Sequence, residues 1–168
     1  IGTGNQGSGH VSRFAAMAAD NVEVSYVCDV DEKRLAKAAK RAPQAKPVTD
    51  LRVILNDPSV DAVSIATPDH WHAPAAILAC EAGKHVYLEK PCCHNLAEGK
   101  LLVETARRTK RVVQHGTQQR STPFTAGAIE LLRDGIIGEV LVAKAWNIQR
   151  RKNIGHHVPA DPPEGFDY

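Results

Sequence analysis

The sequence predicts a doubly wound α/β fold on a parallel sheet, and three observations carry that prediction. Short β-branched runs alternate with Ala-rich helical stretches, a glycine cluster stands directly ahead of the first helix, and Asp29 closes the next strand. Strand–helix alternation at this spacing calls for parallel strands joined by crossover helices. At 168 residues the chain has room for one ordinary domain and the start of another. With 43% hydrophobic and 24% charged residues it reads as globular rather than disordered. A formal net charge of +2 gives no reason to expect a nucleic-acid partner, and no apolar run approaches a membrane span. Of the four cysteines, Cys28 and Cys80 sit in apolar stretches and read as small core residues, while Cys92 and Cys93 are adjacent. No Cys-x-x-Cys pair is present, so neither a metal nor a redox site is expected. The unpaired core thiols suit a reducing compartment, and the localisation is read as cytoplasmic by default.

Each element has a local reason. Gly7–Ala19 reads as a helix, and Val22–Cys28 alternates as a strand does. Asp31–Arg41 is a second helix, rich in Ala, Lys and Leu and stopped by Pro43. Asp50–Asn56 is a short helix ending at Asp57-Pro58, and Val60–Ala66 is the next strand. Pro74–Ala82 is a helix with Gly83 as its C′ residue, and His85–Leu88 a strand. Asn95–Thr109 is a long helix in which Asn95 and Glu98 make a capping-box-like start, and Arg111–Gln114 is a further strand. A fold of this kind begins with a buried strand that delivers the glycine loop. Only Ile1 precedes the glycines, so that first strand is expected to be missing.

The character changes near residue 121. Thr122 and Pro123 suit the N-cap and first position of a helix running to Arg133, followed by Gly135. Glu139–Gln149 reads as a long strand in which polar Lys144 stands among apolar neighbours, suited to an antiparallel sheet with one open face. The stretch Arg150–Tyr168 is rich in Pro, Gly, Arg and His and reads as a loop. The division expected is residues 1–122 as a nucleotide-binding domain and residues 123–168 as the beginning of an α+β domain.

The chemistry-bearing motifs lie in the first part. Gly2-Thr3-Gly4-Asn5-Gln6-Gly7 is a G-x-G-x-x-G, whose glycines permit a tight turn and let backbone N–H groups approach a pyrophosphate at a helix N-terminus. By itself it is equally a Gly-rich turn. Asp29 stands 22 residues after Gly7, where such a fold places the acid that accepts hydrogen bonds from the adenosine ribose. A carboxylate there repels a 2′-phosphate and favours NAD over NADP. Arg34 could accommodate a phosphate, but also reads as a solvated helix residue. Thr67-Pro68-Asp69-His70-Trp71-His72 follows a strand end and reads both as a helix start and as a crevice-lining segment. Glu89-Lys90-Pro91 closes the strand beginning at His85; there a lysine can reach a substrate hydroxyl or the nicotinamide ribose, although a Glu-Lys pair also reads as a solvated ion pair. Proline restricts the residue before it and so fixes the lysine's backbone.

The glycine loop, Asp29, Thr67-Pro68 with His72, Ala82-Gly83-Lys84-His85-Val86 and Glu89-Lys90-Pro91 come in one order and spacing. Together they resemble the glucose–fructose oxidoreductase/inositol dehydrogenase/MocA family from Ile1 to about Gln149, which implies a Rossmann-type fold. The resemblance implies that Lys90 is the catalytic lysine, that Glu89 and Pro91 frame the nicotinamide end, and that Thr67, Pro68 and His72 line the cofactor crevice. It places Gln118 and Arg120 near the nicotinamide. It further implies a homo-oligomer, a sugar or polyol substrate and catalytic Asp and His residues in a C-terminal domain, to which nothing here corresponds. His156 and His157 read as solvated loop residues, and Cys92-Cys93-His94 as helix-entry residues whose adjacency is poor for a tetrahedral metal site.

The implied activity is hydride transfer between nicotinamide and a secondary hydroxyl of a sugar or cyclitol. An NAD-dependent glycosidase, which oxidises a sugar transiently, eliminates the leaving group and regenerates its cofactor, needs the same nucleotide fold. A non-catalytic NAD-sensing domain is the third reading, and a lysine at a strand end argues against it.

Overall fold

The computed structural model describes residues 1–146, 148, 155–156 and 158–166. They form two units, Ile1–Gly116 with Pro162–Tyr168, and Thr117–Asp161.

The first unit holds five short strands, all parallel. β1 (Tyr26–Cys28) pairs with β2 (Lys46–Val48), and β3 (Ala62–Ile65), β4 (His85–Glu89) and β5 (Val113–Gly116) lie side by side in that order. Ile65 stands opposite Leu88, and Glu89 opposite Gly116, so β3, β4 and β5 end together. Residues 1–2 join the two sheets. The N-terminal amine donates to Ser64 O at 2.7 Å, Ala66 N–H to Ile1 O at 2.9 Å and Gly2 N–H to Cys28 O at 2.8 Å. They thus form one rung in the position between β1 and β3 where the first strand is expected.

The helices are α1 (Asn5–Ala15), α2 (Glu32–Ala39), α3 (Leu51–Leu55), α4 (His72–Glu81) and α5 (Leu96–Thr109). Side-chain caps fix three starts: Asp31 accepts from Lys33 N and Arg34 N, Asp50 from Arg52 N, and Asn95 from Glu98 N. Glu98 reaches back to His94 N rather than to Asn95 N, so the box closes one residue early. Gly83 takes the positive φ of a C′ residue after α4. α4 packs on α5, β3 and β4 through Ala73, Ala75, Ala76, Ala79 and Cys80, all fully buried, and its small side chains let the helix approach the sheet closely. Ile65 and Leu88 anchor this core, with Cys28 inside it, and a second cluster of Val11, Val27, Leu35, Ala38, Ala42 and Ala45 lies under α1 and α2.

The structure corrects several boundaries. The strand expected over Val22–Cys28 is only Tyr26–Cys28, the three residues that pair with Lys46–Val48. β2 was not expected from the sequence; it is three residues long and contains Pro47, which only an edge strand tolerates. α4 begins at His72, after a 3₁₀ turn over Asp69–Trp71, rather than at Pro74, and Asp69 makes no side-chain cap. The end of the expected loop is anchored: Glu32 N–H donates to Gly165 O at 3.1 Å, and Asp31 bridges Phe166.

In the second unit, α6 (Pro123–Arg133) starts at Thr122, whose hydroxyl accepts from Thr125 N, with proline at its first position. The strand expected over Glu139–Gln149 does not form among the described residues 139–146 and 148; residues 147 and 149 lie outside them. A strand exists only through the hydrogen bonds of a neighbour, and none of the described residues supplies one to this segment. His157 and residues 150–154 lie outside the described residues, and His156 is exposed in an irregular segment.

Candidate active site

The C-terminal ends of parallel strands are where a doubly wound sheet opens its binding crevice. Here four segments converge at those ends: the glycine loop ahead of α1, Asp29 after β1, residues 66–72 after β3, and Glu89-Lys90-Pro91 at the end of β4.

The glycine loop is held by close packing. Gly2 has φ +78, and a Cβ there would lie 2.7 Å from Thr67 N. A Cβ on Gly7 would lie 1.8 Å from Gly2 O, so the loop closes on itself only with glycine there. At Gly4 a Cβ would meet only Arg34 Nη1, at 3.6 Å, leaving that face of the backbone open. α1 has no side-chain cap and no acidic residue in its first turn, so its N–H groups and dipole are available to an anion. Asn5 and Gln6 are exposed at this end.

Asp29 is buried and braces the loop. Its Oδ2 accepts from Thr3 N at 2.6 Å and from Thr3 Oγ1 at 2.9 Å, and its Oδ1 accepts from Asp31 N at 2.9 Å. A carboxylate has about four acceptor positions, so three are used and one is left for a ligand hydroxyl. Arg34, which the sequence reads as a solvated helix residue, lies against the loop at Gly4, with its Nε 3.2 Å from Asp31 Oδ2.

After β3, Thr67 Oγ1 is buried without a hydrogen-bond partner. Pro68 is exposed at the head of the 3₁₀ turn. His72 is 2% exposed, its Nδ1 2.5 Å from Pro91 O and its Nε2 2.8 Å from Thr67 O. Main-chain oxygens only accept, so the protonated ring nitrogen donates to one of them, and the ring stands between the Thr67 segment and the Lys90-Pro91 segment.

Glu89, 3% exposed, is the hub of a hydrogen-bonded cluster. Its Oε1 accepts from Gln6 Nε2 at 3.0 Å and lies 3.1 Å from His10 Nε2, and its Oε2 accepts from Lys90 N at 3.2 Å. His10 Nδ1 is 2.9 Å from Ser64 Oγ, and its ring stands edge-on to Tyr87 at 5.3 Å. Burial pushes the His10 imidazole below its ordinary value, against the opposing pull of the Glu89 charge. One pattern satisfies both contacts: neutral His10 donates from Nε2 to Glu89 and accepts at Nδ1 from the Ser64 hydroxyl. Lys90 is exposed at the strand end, and its bond to Pro91 is cis.

Thus Gly2, Thr3, Gly4, Gln6, Gly7, Asp29, Thr67, His72, Glu89 and Lys90 meet in one region. Gln118 and Arg120 belong to the second unit, in the 3₁₀ turn Gln118–Ser121. His10 and Ser64 were not anticipated. The signal for His10 was present: Gly7, His10 and Val11 fall on one helical face, and a histidine on a buried face requires a polar partner. An orphaned hydroxyl at Thr67, a loop packed without room for side chains and an uncapped helix start together fit a dinucleotide.

Comparison with known proteins agrees. Residues 1–117 match the family described as an oxidoreductase family with an NAD-binding Rossmann fold. Levoglucosan dehydrogenase of Pseudarthrobacter phenanthrenivorans is 33% identical over 155 residues, covering 89% of this chain and 40% of that protein. A glycosyl hydrolase family 109 protein of Shewanella pealeana is 32% identical over 154 residues, covering 86% and 33%. The chain therefore spans less than half the length of these relatives. Among solved structures, levoglucosan dehydrogenase in complex with NADH and levoglucosan superposes with a TM-score of 0.75 at 33% identity, over 84% of this chain and 40% of that one. Myo-inositol 2-dehydrogenase from Lactobacillus plantarum shares the fold, with a TM-score of 0.76 at 23% identity over 83% and 41%. With its parallel sheet, its glycine loop and the match over residues 1–117, this chain belongs to the glucose–fructose oxidoreductase/inositol dehydrogenase/MocA family of NAD-binding oxidoreductases.

Proposed function

We propose that this chain is the nucleotide-binding part of an NAD-dependent dehydrogenase acting on a secondary hydroxyl of a sugar or cyclitol. The observation that carries the reading is the convergence of an exposed lysine at the end of β4 with a glycine loop, through Gln6 and Glu89. The loop and the start of α1 hold the pyrophosphate, and Asp29 takes an adenosine ribose hydroxyl at its remaining acceptor position, which favours NAD over NADP. Thr67 Oγ1 donates to the bound dinucleotide. When bound, the nicotinamide supplies the hydride acceptor. The Lys90 ammonium lies against the substrate oxygen and stabilises the negative charge that develops as the C–H bond breaks, while the hydroxyl proton passes to the histidine that the family resemblance implies in the C-terminal domain. Residues 123–168 open a second domain in this reading.

Similarity to glycosyl hydrolase family 109 proteins favours a second reading, an NAD-dependent glycosidase in which the same lysine assists a transient oxidation. The test is an assay of the full-length protein with NAD against a panel of free sugars, cyclitols and aryl glycosides. Net NADH formation that Lys90→Ala abolishes supports the dehydrogenase. Aglycone release without net NADH supports the glycosidase. Calorimetry showing that neither NAD nor NADP binds removes both.

A further inference from the structure

Two members of the Glu89 cluster lie outside the four segments that converge at the strand ends. His10 lies on the inward face of α1, 6% exposed, and Ser64 lies in the middle of the sheet, in register with Tyr87. Neither faces a strand end, yet both belong to a hydrogen-bonded line that reaches the main chain of Lys90. Reading outward, the Ser64 hydroxyl meets His10 Nδ1 at 2.9 Å, His10 Nε2 meets Glu89 Oε1 at 3.1 Å, and Glu89 Oε2 receives the Lys90 N–H at 3.2 Å. Gln6, inside the glycine loop, joins at Glu89 Oε1 from the other side, at 3.0 Å. A carboxyl group this deeply buried holds one orientation only while its hydrogen-bond partners hold it.

We infer that His10 is a positioning residue for Lys90: by orienting the Glu89 carboxylate between the glycine loop and the end of β4, it fixes the lysine's backbone and couples it to the loop. Removing the histidine leaves a buried carboxylate short of one donor, and Glu89 then turns toward whatever donor or water it can reach. Lys90 loses the acceptor for its N–H, and the strand end loosens. The same line carries information in the other direction, since a ligand that draws Gln6 toward itself alters the donors left to Glu89. The consequence for turnover rests on the dehydrogenase reading above, whereas the consequence for the Lys90 main chain does not.

The experiment separates the two. Amide hydrogen exchange is followed in the ligand-free full-length protein for wild type, His10→Phe and His10→Gln. Phenylalanine keeps the ring's bulk against Tyr87 and Phe14 but donates nothing; glutamine keeps an N–H that can reach Glu89. The expectation is that the Lys90 amide exchanges about ten-fold faster in His10→Phe while the Ile65 and Leu88 amides keep their protection. In His10→Gln, Lys90 should stay within about two-fold of wild type. An unchanged Lys90 amide in a folded His10→Phe protein overturns the inference, as does a His10→Gln protein in which Lys90 is as exposed as in His10→Phe. Should His10→Phe not fold, the glutamine variant and Glu89→Gln, which should free the Lys90 amide with His10 intact, decide the question by the same readout. With NAD and a sugar that is turned over, the double variant His10→Phe/Lys90→Ala should lose no more kcat than Lys90→Ala alone, because a positioning residue has nothing left to position. Additive losses would overturn it. A wild type that binds no dinucleotide sinks the dehydrogenase reading and leaves the exchange result standing.

Discussion

Gly7 and Gly4 differ in what surrounds them, and substitution should separate their roles. Gly7→Ala would set a Cβ 1.8 Å from Gly2 O, so the loop must open, and a loss of about 3 kcal/mol in urea unfolding is expected. Gly4→Ala meets only the flexible end of Arg34, so stability should stay within about 1 kcal/mol. NAD affinity, read by calorimetry, should nonetheless fall by about ten-fold or more, because the methyl group occupies the face that a pyrophosphate must approach. His10 adds a pH dependence with a definite sign. Burial holds its folded-state value below its ordinary value of 6.5, so the unfolded chain binds the proton more readily. Its contribution to stability is therefore fully present above about pH 6.5 and is lost as pH falls from there toward the lowered folded value. Glu89 opposes that lowering, while Arg13 adds to it. Thermal melts between pH 7.5 and 5 should show this acid loss in wild type and less of it in His10→Gln; equal slopes would disprove the assignment.

The elements differ in how locally they are determined. α5 carries its own start signal, and Asn95→Ala, which removes the acceptor of Glu98 N, should cost about 1 kcal/mol without touching nucleotide affinity. α2 and α6 are equally local, through Asp31 and Thr122. Strands are not. β1 is shorter than its alternating pattern, β2 forms from three residues that include a proline, and the apolar run after residue 138 forms no strand among the described residues. In each case the deciding partner is remote in sequence: β1 takes β2 as its ladder partner across 20 residues and Gly2 across 26.

For the molecule as a whole, the proposed ligand is a linkage partner. The segments that would contact a dinucleotide come from the ends of separate strands, so its binding should stabilise the first unit as a body. At about a hundred times its dissociation constant, NAD should add about 2.7 kcal/mol to the unfolding free energy of the full-length protein, seen as a rise in Tm. Asp29→Ala should reduce that rise and also lower the ligand-free Tm, because Thr3 loses the carboxylate that accepts its N–H and hydroxyl. A Tm that ignores NAD and NADP alike would contradict the nucleotide site. Among the described residues no helix is long and apolar enough to cross a membrane.

The sequence by itself determined the features whose physics is local. The glycine spacing, the aspartate 22 residues beyond it, the helix caps and the Glu-Lys-Pro after an apolar strand each depend on a few consecutive residues, and with them came the fold class, the family and the candidate lysine. Only the tertiary structure decided what those residues touch. Asp29 spends most of its acceptor capacity on Thr3 and Asp31, Arg34 lies against Gly4, and the His72 ring stands between the main-chain oxygens of Thr67 and Pro91. His10 and Ser64, separated by 54 positions, meet each other, and His10 meets Glu89, only because the parallel crossovers stack α1 against β3. Hydrogen bonds between distant segments follow from packing, and packing is set by the whole chain rather than by the neighbours of any one residue.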